Sequence, residues 1–313
     1  MSRNGWYLAA AALAATVTAV VVRTRLAERQ NPPLGQFVNV DGVRLHYVES
    51  GSGEPIVFLH GNGSLIQDFV TSDLVRLVAK THRVIVFDRP GYGYSERPRR
   101  RKWSPAAQAD LLAKAAAELG AGRAHLLGHS WGTLVALEWA LRHREVLSLT
   151  LASGYYFPTS RLDVVLAAGP AVPVIGDVMR YTITPVLARL MWPMLVRNLV
   201  RPAPTPEHFK KMPRALILAP RRLRASAEEA AMMVPAAAAL KNRYADVKVP
   251  LLIVTGDGDH VVKFEDQSRR LHKLLPNSRL VVLEGVGHMV HHTKPGKMSE
   301  AIVETARSRS TAP

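Results

Sequence analysis

The chain has 313 residues, 48% of them hydrophobic and 21% charged, enough to bury a large core in one domain or in one domain with an insertion. Its net charge of +16 could suit nucleic acid, but Lys and Arg are scattered apart from RPRRRK at 97–102 and RRLR at 221–224. No zinc-ligand spacing, RNA-binding signature or basic heptad helix accompanies them, so no nucleic acid partner is expected and the two clusters read as solvated surface or contacts to anionic lipid. The absence of cysteine excludes disulfides and thiolate chemistry.

The stretch WYLAAAALAATVTAVVV at 6–22 carries no charge and would span roughly 26 Å as a helix, just enough to cross a bilayer. Residues 1–30 are therefore expected to be a membrane anchor with its linker. A signal segment cleaved near Val17-Thr18-Ala19 is the competing reading. Arg3 precedes the stretch and Arg23, Arg25 and Arg29 follow it, which by the positive-inside rule leaves the rest of the chain cytoplasmic if the helix is kept.

After Pro32 and Pro33, QFVNVDGVRLHYVESG reads as a hairpin turning at Asp41-Gly42. Buried strands and helices then alternate: strand 56–59, helix 68–79, strand 83–87, helix 105–119, strand 124–127, helix 133–143 and strand 146–152. Ser104 is the expected N-cap of the 105–119 helix, with Pro105 in its first turn and Gly120 past its end. Such alternation implies a mostly parallel sheet with helices on both faces. It fails over 155–249, which is proline-rich, apolar and helical in pattern, and resumes with strand 251–255, helix 264–275 and strand 279–283. The 155–249 segment is expected to be a helical insertion with both ends at one edge of the sheet.

Gly128-His129-Ser130-Trp131-Gly132 places a serine between two glycines where a strand meets a helix. A serine hydroxyl needs a base at neutral pH, and the base needs an acceptor for its other ring nitrogen. Asp257 and Asp259 follow the 251–255 strand, and His288 follows the 279–283 strand. All three kinds of group thus fall beyond C-terminal strand ends, at one edge of a parallel sheet.

From about Phe37 to the last helix the sequence resembles the α/β-hydrolase superfamily. The motifs that carry the likeness are HGNG at 60–63, DRPGYGYS at 88–95, GHSWG at 128–132, GDGD at 256–259 and GVGH at 285–288. The resemblance implies an α/β-hydrolase fold with core parts at 36–154 and 250–308 and a lid at 155–249. It implies Ser130 as nucleophile, His288 as base, Asp259 as the acid, and the backbone N–H groups of Asn62 and Trp131 as oxyanion donors. No cofactor or metal is expected. Asp88, Gly91, Gly93 and Ser95 read as loop supports and His60 as a buried hydrogen-bonding support. His291 and His292 fall where a helix should start, in capping or exposed positions. Met191, Trp192 and Met194 read as core packing or pocket lining.

Thr293 stands where many relatives have an acidic residue. Asn62 with Trp131 resembles the halide-binding pair of haloalkane dehalogenases, but those enzymes and the related epoxide hydrolases use an aspartate nucleophile where this chain has Ser130. The expected activity is therefore hydrolysis of a carboxylic ester or similar acyl bond in a small, apolar substrate. Carbon–carbon bond hydrolysis or perhydrolysis by the same triad, and a non-catalytic ligand-binding protein on the same fold, are the alternatives.

Overall fold

The computed structural model describes residues 3–308, so the first two residues of the expected anchor segment lie outside the described residues. The apolar runs form strands β3 (Pro55–Leu59), β4 (Arg83–Phe87), β5 (Ala124–His129), β6 (Val146–Ala152) and β7 (Leu251–Gly256), buried along nearly their whole length. Strands buried on both faces need helices on both faces. Before them β1 (Gln36–Val40) and β2 (Val43–Ser50) form the hairpin, and Asp41 and Gly42 take the positive φ values of 50° and 73° that its tight turn requires. With β8 (Ser278–Leu283) the sheet has eight strands in the order β1-β2-β4-β3-β5-β6-β7-β8. β1, β2 and β4 pair antiparallel, and every other pairing is parallel.

Alternate strand residues point to opposite faces. Val57, Leu126 and Ile253 pack with Leu112 of α4 (Pro105–Glu118) and Leu134 of α5 (Gly132–Arg142). On the other face Phe58, Leu127 and Val254 meet Phe69 of α2 (Gln67–Val70), Leu74 of α3 (Leu74–Val78) and Ile302 of α13 (Pro295–Arg307). Ser104 caps α4, its side chain accepting the Ala107 N–H at 3.2 Å.

One expected helix is broken, by a side chain that competes for the backbone, and another is kept with a widened first turn. The 68–79 helix is split into α2 and α3 at Asp73, which has φ 65°. Ser72 Oγ there donates to the Phe69 carbonyl and accepts the Leu74 N–H. The 264–275 helix opens with a wide π turn at Glu265–Arg269 before α11 (Arg270–Leu274). In that turn Gln267 is buried, accepting the N–H groups of Tyr156 and Phe157 and donating to the Phe157 carbonyl.

Between β6 and β7 lie α6 (Leu162–Ala167), α7 (Ile175–Tyr181), α8 (Ile183–Val200), α9 (Arg214–Ile217) and α10 (Pro220–Leu240). The expectation that both ends of this segment sit at one edge is incorrect. Parallel neighbours require the chain to cross from the C-terminal edge to the N-terminal edge. The second half of α10 begins that crossing, and Leu240, Tyr244 and Val247 belong to the main core. Val196, Val200, Phe209 and Leu216 instead form a smaller cluster with Leu65 and Met289, which stand in loops at the C-terminal edge.

The N-terminal segment is one helix, α1 (Arg3–Gln30), packed on α7 and α9. Its last turns are tied down: Ala27 is buried, Tyr94 Oη donates to the carbonyls of Glu28 and Asn31, and Arg222 pairs with Glu28 at 3.3 Å. Most of its apolar length is exposed.

Candidate active site

The turn from β5 into α5 is as tight as the glycine spacing predicts. Ser130 sits there at φ 52°, a conformation that non-glycine residues rarely adopt. A Cβ at Gly128 would lie 2.6 Å from the Gly132 carbonyl oxygen, and one at Gly132 would lie 2.3 Å from that of Leu59. Both glycines are therefore demanded by backbone contact.

Ser130 Oγ lies 2.9 Å from His288 Nε2, and His288 Nδ1 lies 2.8 Å from Asp259 Oδ2. The other carboxylate oxygen of Asp259 accepts the N–H groups of Val261 and Val262, each at 2.9 Å. Asp259 and His288 are buried, while Ser130 is half-buried. Asp257, the rival acid, is exposed and accepts the Gly285 N–H at 2.8 Å, which leaves Asp259 beside the imidazole.

The HGNG loop abuts the serine: a Cβ at Gly61 would stand 3.0 Å from Ser130 Cβ. The backbone N–H groups of Asn62 and Trp131 have no acceptor among the described residues, as suits donors kept for a ligand. Their side chains are engaged elsewhere. Trp131 Nε1 donates to the Glu229 carbonyl at 3.1 Å and Asn62 Nδ2 to the Ser226 carbonyl at 2.9 Å, both on α10. The single indole N–H of Trp131 is thereby spent on the protein, so the two side chains do not act together as a halide-holding pair.

The loop carrying the DRPGYGYS motif supports the site from below. Asp88 accepts the N–H groups of Ile66 and Tyr94 and pairs with His46 Nδ1 at 2.6 Å. At Gly93, φ 44°, a Cβ would collide with that carboxylate at 1.7 Å. His60 is enclosed, with Nδ1–H donating to the Gly61 carbonyl and Nε2 accepting the Arg89 N–H. Burial, then the Arg89 charge, lower its pKa to about 4, so the ring is neutral.

Sequence reasoning missed the hub of this region. Arg89 is fully buried and spends all five N–H groups: on the carbonyls of His60 (2.7 Å) and Gly61 (2.9 Å), on Gln108 (2.9 Å), and on both carboxylate oxygens of Glu229 in α10 (2.5 and 3.0 Å). Tyr92 Oη and Gln108 Nε2 complete the shell of Glu229. An arginine directly after Asp88 and a glutamate inside the alanine-rich SAEEAAMM stretch were the available signals. Nothing local paired them across 140 residues.

The expectation for His291 and His292 is also corrected. They lie in the short helix α12 (Val290–Thr293) and are buried rather than exposed, because both point at Asp68 Oδ1, at 3.1 and 2.8 Å. Burial opposes ionisation of Asp68, but the two imidazoles hold its pKa well below the ordinary carboxylate range. Trp192 packs on the smaller cluster and lines a groove beside Asn31 and Arg189; Met191 and Met194 are exposed. They do not form part of the main core.

A model of the alpha/beta hydrolase fold family matches residues 54–295. The 2-hydroxy-6-oxo-2,4-heptadienoate hydrolase of Pseudomonas putida is 29% identical over 271 residues, covering 83% of this chain and 91% of that protein. Other curated relatives are matched over 31% to 53% of their own length. Among solved structures, an esterase from Thermogutta terrifontis superposes with a TM-score of 0.73 at 24% identity, over 88% of this chain and 100% of that one. A bacterial membrane phospholipase A superposes with a TM-score of 0.68 at 24% identity, over 98% of this chain and 97% of that one.

Proposed function

The chain belongs to the alpha/beta hydrolase family, and within it we propose a membrane-associated serine hydrolase that cleaves carboxylic esters or similar acyl bonds of apolar substrates. The observation that carries this reading is the continuous hydrogen-bonded chain from Ser130 Oγ through His288 to Asp259. His288 takes the serine proton as Oγ attacks the carbonyl carbon and returns it to the leaving alcohol. Asp259 fixes the ring with Nδ1 protonated, so that Nε2 faces the serine. The backbone N–H groups of Asn62 and Trp131 receive the oxyanion, a donor there being typically worth about 2.7 to 4 kcal/mol in the transition state. Water then releases the acid by the same proton route.

The apolar and membrane parts of the reading rest on α1 and on α6 to α8. Leu166, Ile175, Ile183, Leu190 and Met194 on these insertion helices, and Val174 just before α7, are all exposed, a concentration of exposed apolar side chains that suits contact with lipid or with an apolar partner. α7 packs against α1, whose 4–30 span is long and apolar enough to cross a bilayer. A helix inserted in lipid would hold its neighbour at the membrane surface, where acyl substrates are dissolved. Exposed Arg23, Arg25 and Arg29 at the domain end of α1 favour a cytoplasmic catalytic domain.

The test is active-site labelling of the detergent-extracted full chain with a fluorophosphonate, alongside turnover of acyl esters of graded length. Wild type should label and Ser130→Ala should not, with turnover falling by about 10⁶. Labelling of the variant would reject the nucleophile. The heptadienoate hydrolase, matched over most of both chains, favours a second reading in which the same triad cleaves a carbon–carbon bond. Faster turnover of 2-hydroxy-6-oxo-2,4-heptadienoate than of any ester would select it.

A further inference from the structure

A second set of reactive side chains is buried behind the triad, and acyl transfer makes no use of it. Asp68 Oδ1 lies 3.1 Å from His291 Nε2 and 2.8 Å from His292 Nε2. One ligand atom from each of these three buried residues falls within 4.8 Å of the others. Around them Asp68 Oδ2, His129 Nδ1 and His291 Nδ1 are shut off from solvent with no hydrogen-bond partner. His129 Nε2 lies 3.2 Å from the His288 carbonyl oxygen, which only an N–H can satisfy. In the neutral ring that leaves Nδ1 as a bare lone pair, and it lies 4.0 Å from Asp68 Oδ2. Buried polar atoms are ordinarily satisfied, and Asp68 Oδ2 and His129 Nδ1, two acceptors 4.0 Å apart with no donor between them, call for a cation.

We propose that Asp68, His291 and His292 bind a divalent transition-metal ion of the zinc type. Two neutral imidazoles with one carboxylate are a donor set such ions favour. Tetrahedral zinc with bonds of about 2.0 to 2.1 Å holds its ligands roughly 3.3 Å apart, so the observed 2.8 and 3.1 Å need open by only a few tenths of an ångström. Ligation by Nε2 moves each ring proton to Nδ1 without net proton release. For His292 an acceptor is in place, since His208 Nε2 lies 2.9 Å from His292 Nδ1; such a partner orients a ligating imidazole. His129 Nδ1, 4.0 Å from Asp68 Oδ2, is a further nitrogen donor beside the cluster.

The ion has a structural role. α2 follows the loop that carries Asn62, and α12 follows His288, so the metal staples the two loops that flank Ser130. His129 extends the brace to the His288 carbonyl. The proposal departs from the metal-free expectation drawn from the sequence and does not depend on the acyl-transfer reading.

The untagged full chain, in detergent, is incubated with Zn²⁺, passed over a chelating column and assayed by elemental analysis. Co²⁺ in a parallel sample reports coordination through its tetrahedral absorption band. Close to one zinc per chain is expected in wild type and in Ser130→Ala, with at least tenfold weaker binding in Asp68→Asn and His292→Gln. Zinc below a tenth of an equivalent on folded wild type, or unchanged affinity in Asp68→Asn, would overturn the proposal. If those two variants do not fold, His208→Ala decides. It removes only the outer partner and should weaken binding by about 10- to 100-fold, and an unchanged affinity would count against the site.

Discussion

Glu228 and Glu229 are adjacent in sequence and opposite in consequence, which makes their amide variants a direct test of the Arg89 hub. Glu229→Gln keeps the side-chain shape but leaves the Arg89 guanidinium buried without its counter-charge, and it turns an N–H₂ group toward donors. Breaking a buried pair from one side costs about 3–5 kcal/mol. For a chain of 313 residues, with an unfolding entropy of about 2.1 cal/mol/K per residue, that is roughly 5–8 °C in Tm. Glu228 is 24% exposed and pairs with Arg97 and Arg224, and the buried Arg97 keeps the Glu229 carboxylate at 4.0 Å and the Pro90 carbonyl at 2.9 Å, so Glu228→Gln should cost less, about 1 kcal/mol. A second readout separates positioning from bulk stability. Arg89 holds the Gly61 carbonyl at 2.9 Å, and in a planar trans peptide the Asn62 N–H points the opposite way, toward the site. Loosening that carbonyl should lower kcat by at least about tenfold, bounded by the 10² to 10³ that loss of a whole oxyanion donor costs, with KM little changed. Thermal unfolding in detergent and ester kinetics on both variants give the result. Equal Tm values for the two amides, or an unchanged kcat in Glu229→Gln at a temperature where it is folded, would refute the reasoning.

Asp259→Asn should reduce kcat by about 10⁴ by favouring the wrong imidazole tautomer, and Asp257→Asn should leave it nearly intact; the reverse order in steady-state kinetics would exchange the acid. His60, its pKa lowered to about 4 by burial first and Arg89 second, also faces the Asp88 and Glu229 carboxylates, which act in the opposite direction. Its folded-state pKa is below the unfolded value near 6.5, so its contribution is fully present above pH 6.5 and is lost as pH falls toward 4. The total is about 3 kcal/mol; urea midpoints measured across that window should slope less in His60→Gln, and parallel slopes would remove His60 as the cause. The full chain should stay with membranes at high salt and leave in detergent, because burial of 6–22 does not respond to screening whereas any attraction of the exposed basic residues among 99–102 to anionic lipid does; release by salt alone would reject the anchor.

The sheet was legible because its strands are short, apolar and punctuated, and helix α4 because Ser104, Pro105 and Gly120 mark its ends. Topology alone brings Ser130, His288 and the pair Asp257 and Asp259 to one edge, because the C-terminal ends of parallel strands meet there; the choice of Asp259 over Asp257 came from the family resemblance. The failures share a cause. Arg89 with Glu229, and Asp68 with His291 and His292, are pairs of distant residues whose burial depends on the partner. Read singly, each is an ordinary surface charge or a helix-end histidine. The 68–79 helix broke for a related reason, since the periodicity was right but Ser72 spends its hydroxyl on the backbone of Phe69 and Leu74; the 264–275 helix formed as expected apart from its wide first turn.

The strain at Ser130 explains why so much of the surrounding structure is fixed. Holding a serine at φ 52° costs of the order of 1–3 kcal/mol, which the chain would recover by relaxing the turn. Relaxation is blocked at both ends of the residue. The Ser130 N–H donates to the Ala152 carbonyl at 2.9 Å, tying the turn to β6. The Ser130 carbonyl accepts from the Thr133 N–H at 3.0 Å and from Thr133 Oγ1 at 2.6 Å, tying it to α5. These three bonds cannot all be kept if φ returns to negative values, because the peptide planes on either side would have to turn. The missing side chains at Gly128 and Gly132 let β5, α5 and the end of β3 close on the turn, so that Oγ projects beyond the sheet edge toward His288. A glycine at 130 would relieve the strain and remove the hydroxyl together. A Thr133→Val change retains Oγ of Ser130 while deleting one of the three anchors, and so isolates what the strain contributes to its aim.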